Sequence, residues 1–124
     1  MSARILYIED NESNLYLVTF LLSARGHQVL QAADGLQGLA AALAHLPDLI
    51  LLDIQLPGMD GYETARRLRA EPALADTPIV ALTSYAMVGD REKALAAGCA
   101  GHLEKPLDPD TFVDSIESFL PAPP

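Results

Sequence analysis

A single cysteine, Cys99, stands among 124 residues. A lone thiol closes no internal disulfide, which excludes a disulfide-held secreted scaffold, and a small packing role suits it better than a reactive one. Basic residues are scarce as well. Eight Lys and Arg against 17 Asp and Glu leave a net charge of −9, the wrong sign for a phosphate-backbone binder, so direct contact with nucleic acid is not expected. Long hydrophobic runs are missing too. The most apolar stretch, Leu15 to Leu22, is broken by Thr19 and is far too short to span a bilayer. No basic segment followed by an apolar one opens the chain as a signal peptide would. The expectation is a cytoplasmic protein with no membrane insertion.

What is present suits one packed domain. Half the residues are hydrophobic, enough for a core without disulfides, and the length fits one domain with little room for a second. Residues 1–120 read as that domain, and the Pro-Ala-Pro-Pro of 121–124 reads as a tail or the start of a linker. Five short apolar runs alternate with helical patterns: Arg4–Ile8, Gln28–Gln31, Leu49–Leu52, Ile79–Leu82 and, weakest, Gly101–Glu104. Leu15, Val18, Leu21 and Leu22 recur at helical spacing before a stop at Gly26. Asp34 with Gln37, and Asp60 with Glu63, read as capping boxes opening the second and third helices, which close before Pro47 and at Pro72. The fourth helix is expected over Ala86 to Ala97 with Gly98 as its stop. Asp108 before Pro109 marks the N-cap of the fifth, which runs to about Leu120.

Strand and helix alternating five times argue an α/β fold, a parallel sheet covered on both faces in three layers. Leu49-Ile50-Leu51-Leu52 is apolar on both faces, as a central strand must be. Right-handed crossovers reduce the topologies to a few doubly wound orders.

Such a sheet gathers the C-terminal ends of its strands at one edge, where ligands bind. The first strand delivers Glu9 and Asp10 there, the third Asp53, the fourth Thr83 and Ser84, and the fifth Lys105. Three carboxylates in one place repel unless a cation joins them, and oxygen donors without a Cys or His pair point to Mg2+ over zinc. Asp53, ending the most apolar strand, is the natural nucleophile for an acyl phosphate. Lys105 pairs with a phosphoryl oxygen as a point charge, and Thr83 donates a hydroxyl.

Four words carry a resemblance that covers essentially the whole chain: Ile8-Glu9-Asp10-Asn11, the run from Asp53 to Gly61, Ala81-Leu82-Thr83-Ser84, and Glu104-Lys105-Pro106. Together, in order and at the strand ends, they resemble the response-regulator receiver family. The resemblance implies the strand order 2-1-3-4-5 and phosphoryl transfer to Asp53 from a phosphohistidine on a sensor histidine kinase or a histidine phosphotransfer protein. It implies Mg2+ held by Asp10, Asp53 and the backbone carbonyl of Gln55, with Glu9 acting mostly through water. It further implies a cis Lys105–Pro106 bond, a switch formed by Thr83 and His102, and a downstream protein target engaged by the face of helix four, strand five and helix five. The chain is expected to be a signalling acceptor and not an enzyme in its own right. Glu9 stands where the family often has Asp, and His102 where Tyr or Phe is common.

Plainer alternatives accompany these roles. Glu9 and Asp10 alone could cap the first helix, Thr83 and Ser84 could simply end a strand, and His102 could be an ordinary half-buried histidine. His27 and His45 read as surface residues, and Gly58 and Gly61 as loop formers. Tyr85 could shield an acyl phosphate from water and slow its loss, or face outward toward a partner. A flavodoxin-like cofactor binder needs a phosphate-cradling loop after the first strand, yet Glu9-Asp10-Asn11-Glu12 is acidic and free of glycine. A phosphatase needs a general acid near Asp53, and Gln55 is none. A phosphorylation-independent interaction module on the same fold is the remaining alternative.

Overall fold

The computed structural model describes residues 2–56, 58–83, 89–105 and 107–120. Five strands, β1 (Arg4–Ile8), β2 (Gln28–Ala32), β3 (Leu49–Asp53), β4 (Ile79–Thr83) and β5 (Gly101–Glu104), alternate with α1 (Glu12–Ala24), α2 (Gly35–His45), α3 (Gly61–Ala70), α4 (Asp90–Ala96) and α5 (Phe112–Phe119). The strands form one parallel sheet in the order β2-β1-β3-β4-β5. β3 and β4 are buried along their whole length, as their unbroken apolar runs require.

Alternation along each strand splits the core in two. Leu6, Ile8, Ile50, Leu52, Ile79 and Ala81 face one layer, where Ala42, Ala65, Leu68 and Ala94 supply the helical side. Ile5, Tyr7, Leu49, Leu51, Val80 and Leu82 face the other, against Val18 and Leu22 of α1 and Phe112, Val113 and Ile116 of α5. Among the described residues no helix is long and apolar enough to cross a membrane.

The helix starts follow local chemistry, with corrections. Asp34 accepts from Gln37 N at 2.8 Å and Asp60 from Glu63 N at 2.9 Å, so both cap as expected. Glu63, however, turns to Arg66 and Arg67 and leaves the Asp60 box half made. Asp108 caps the turn that leads into α5 as expected, its side chain accepting Asp110 N at 2.9 Å and its carbonyl accepting Phe112 N at 2.8 Å, while the regular helix begins after Thr111, whose side chain makes no capping bond. α4 begins at Asp90 behind Gly89, whose φ of 94° suits glycine, and the expected start at Ala86 lies outside the described residues. Pro72 opens a single 3-10 turn, Pro72–Leu74, after α3.

His27 corrects a second expectation. It is buried, not at the surface: Nδ1 accepts the Ala3 amide at 3.0 Å, and Nε2 lies 2.7 Å from Glu117. A further long-range tie comes from Arg69, whose guanidinium reaches the carbonyls of Leu74, Ala75, Thr77 and Gly98 at 2.8–3.1 Å.

Candidate functional site

The expected residues meet where the strands end. In register, Ile8 pairs with Leu52, so the next residue on each strand, Glu9 and Asp53, lies side by side at the rim. Asp53 is the last residue of β3 and Thr83 the last of β4. The ladder continues past them: Glu9 N donates to Ala32 O, Ile54 N to Leu82 O, and Lys105 N to Thr83 O at 2.7 Å. That last bond fixes the backbone of Lys105 beside β4 and lets its side chain cross toward β3 and β1.

Glu9 and Asp53 are buried, at 1% and 3% exposure, while Asp10 is open to solvent. One carboxylate oxygen from each of the three lies within 4.8 Å of the others. Lys105 Nζ sits 3.2 Å from Asp53 Oδ2 and 3.3 and 3.4 Å from the two Glu9 oxygens. Asn14 donates to Glu9 Oε1 at 2.7 Å, and the Gln55 amide donates to Asp53 Oδ1 at 2.9 Å. Burial pushes the Glu9 carboxyl up to about 7. Its neighbour Asp53 adds to the shift, and Asn14 and Lys105 oppose it.

The donor set fits a hard divalent cation. It is made of oxygen alone, with two buried carboxylates and one solvent-facing carboxylate to complete a half-open site. The loop behind it is tight for a reason other than turn conformation alone. A side chain at Gly61 would meet Ile54 Cα and lie 2.8 Å from Asp53 O, so Gly61 lets α3 start directly under the acceptor strand. Gly58 has the positive φ, 75°, expected of a loop glycine.

Thr83 is buried at the end of β4. His102 is not part of the rim. It lines a cleft of about 290 Å³ with Arg91, Leu95, Ala100, Gly101 and Phe119, between α4, β5 and α5. Ser84, Tyr85 and the Lys105–Pro106 bond lie outside the described residues. Asn14 escaped the sequence reading although its place three residues after Asn11, the N-cap of α1, was legible: the Asn11 side chain caps Asn14 N at 2.9 Å, and that turn aims the Asn14 amide at Glu9.

Fold and site together define a doubly wound α/β domain whose elaborated feature is an acidic, cation-suited rim crossed by one lysine. The chain belongs to the response regulator receiver domain family, whose model matches residues 5–117. It is similar to the polar-differentiation response regulator DivK of Brucella ovis, with 38% identity over 97% of this chain and 98% of that protein. In structure it is similar to the chemotaxis response regulator CheY4 of Vibrio cholerae, with a TM-score of 0.91, 31% identity, and 97% and 100% of the two chains covered. It is similar also to the receiver domain of the sensor histidine kinase PA1611 of Pseudomonas aeruginosa, described with a magnesium ion coordinated in its active-site cleft. There the TM-score is 0.87 and the identity 35%, over 96% and 98% of the chains.

Proposed function

We propose that this receiver domain is switched by Mg2+-dependent phosphorylation of Asp53. The observation that carries the proposal is the placement of a buried Asp53 carboxylate between Lys105 at 3.2 Å and the oxygen cluster of Glu9 and Asp10. The donor is a phosphohistidine of a sensor kinase or phosphotransfer protein. An Asp53 oxygen forms the new bond to phosphorus as the bond to the histidine nitrogen breaks, and the electron pair leaves with the imidazole.

Mg2+, held by Asp10, Asp53 and the Gln55 carbonyl with Glu9 behind water, would neutralise the phosphoryl oxygens. The remaining work falls to the protein. The Gln55 amide orients Asp53 through Oδ1. Lys105 is already within reach of Asp53 and turns to a phosphoryl oxygen as charge arrives. Thr83 supplies a hydroxyl from the adjacent strand end. Output runs through the face bearing His102, Arg91, Leu95 and Phe119, which would engage a downstream protein. The domain acts as a cytoplasmic acceptor whose own chemistry is limited to taking up and losing the phosphoryl group.

The test is intact-mass spectrometry after incubation with Mg2+ and acetyl phosphate. One added phosphoryl group is expected on the wild type and none on Asp53→Asn. Equal labelling of the two proteins removes Asp53 as the acceptor.

A further inference from the structure

Among the described residues Tyr7 is the largest side chain buried completely. It pairs with Leu51 across β1 and β3, and both belong to the core layer against α1 and α5. Strand alternation puts Glu9, two residues after Tyr7, and Asp53, two after Leu51, on that same face. Lys105 approaches from it as well, two residues beyond Leu103, which packs on the same layer. The phenol thus lies one residue pair beneath the acidic rim.

Its hydroxyl is the single buried side-chain polar atom without a hydrogen-bond partner among the described residues. Burial foremost, then the charges of Glu9 and Asp53, holds the phenol above the ordinary tyrosine range, so it stays a donor. An unspent donor in a core is a cost to stability, and phenylalanine would fill the same space without it.

The polar groups above it are all spent, and the lysine is spent on both carboxylates at once. A cation entering this cluster, or a phosphoryl group on Asp53, draws Lys105 away from at least one of them. Glu9 then retains Asn14 on Oε1, and a metal-bound water of the kind proposed above takes over from the lysine on Oε2 with one bond, leaving a second acceptor site of that oxygen open. A buried carboxylate short of donors is poorly tolerated.

We propose that Tyr7 is a positioning residue whose hydroxyl replaces Lys105 as the buried donor to the Glu9–Asp53 pair when the site is loaded. The inference rests on the Mg2+-dependent function proposed above and deepens it: a hydroxyl that the core leaves without a partner is used when the site is loaded.

Tyr7→Phe removes one oxygen and leaves the packing. The chain has no Trp and four Tyr, so tyrosine emission can be followed without a tryptophan background and includes a contribution from Tyr7. Three readouts are taken: the metal-free melting midpoint, the Mg2+ dissociation constant by calorimetry, and tyrosine emission during the same titration. The expected result is a metal-free midpoint equal to or above wild type, Mg2+ binding weakened about tenfold, as for loss of one hydrogen bond to a charged group, and loss of the Mg2+-dependent emission change. Unchanged Mg2+ affinity in Tyr7→Phe beside normal binding by wild type overturns the inference and leaves the proposed function standing. A fall in the metal-free midpoint matching the lost affinity assigns Tyr7 to packing and overturns it too. Wild type that binds no Mg2+, with Asp10→Ala indistinguishable from it, removes the proposed function and this inference together.

Discussion

The buried imidazole of His27 and the carboxylate of Glu117 meet at 2.7 Å, 90 positions apart in the chain. Because Nδ1 accepts the Ala3 amide, the neutral ring carries its hydrogen on Nε2 and donates it to Glu117. Arg25 closes the other side of the same carboxylate at 2.7 Å. The start of β1, the loop before β2 and the last turns of α5 are thereby tied at the edge of the sheet opposite the acidic rim.

Replacing His27 by Ala leaves the Ala3 amide unpaired and opens a cavity, and should cost about 2–4 kcal/mol. Glu117→Gln keeps an acceptor for Nε2 and should cost less than half as much. Urea denaturation of the two variants measures the ratio. A His27→Ala midpoint equal to wild type contradicts the tie.

Arg69 should tolerate no conservative change. A lysine offers one point of attachment where the planar fork reaches four carbonyls, so Arg69→Lys should lose about 2–3 kcal/mol. Gly98→Ala should fail at the same junction, because Gly98 has φ near 100° and a Cβ there would lie 2.9 Å from Arg69 Cγ. Denaturation midpoints of the single and double variants should show that the losses do not add.

Metal-free stability should fall as pH climbs toward neutrality through Glu9. Its native carboxyl ionises near 7, above the ordinary value of 4.5, so between those pH values the folded state holds more protons than the unfolded one. Stability therefore declines as pH rises across that window. Subtracting the Glu9→Gln profile, measured in chelator, isolates the effect. Mg2+ should bind more tightly over the same rise, since it requires the ionised carboxylate. Parallel profiles for wild type and Glu9→Gln would sink the prediction.

Gly61→Ala tests how rigidly the acceptor is backed. The added methyl would press on the backbone of Ile54 and Asp53, which cannot swing away as a side chain would. A loss of about 1–3 kcal/mol is expected, with weaker Mg2+ binding by calorimetry because the end of β3 must shift. Normal binding in a destabilised variant confines Gly61 to packing.

What was legible in the sequence, and what was not, divides by range. The central strands announce themselves because β3 and β4 need apolar residues on both faces, and Asp34 and Asp60 cap helices through bonds spanning three residues. The rim was legible for a topological reason: once the order of elements is known, parallel strands must deliver Glu9, Asp53 and Lys105 to one edge. His27 and Arg69 were not, since a histidine after Gly26 and an arginine on an amphipathic helix look like surface residues until distant loops fold over them. Asp108 before Pro109 was legible like the other caps, because its bond to Asp110 N is local, whereas the start of the regular helix at Phe112 was not.

The separation of Lys105 from Asp53 by 52 positions and from Glu9 by 96 has a consequence for the order of events during synthesis. Chains emerge from the N-terminus and fold progressively as they do so. All three acids precede the lysine, so a growing chain holds a repulsive cluster with no internal counter-charge until β5 arrives. Before then the acceptor strand settles beside Glu9 only with the repulsion relieved by a proton on Glu9 or a cation from solution. The last strand to be made is thus the one that completes the site, and an unfinished chain presents Asp53 in surroundings unsuited to receiving a phosphoryl group.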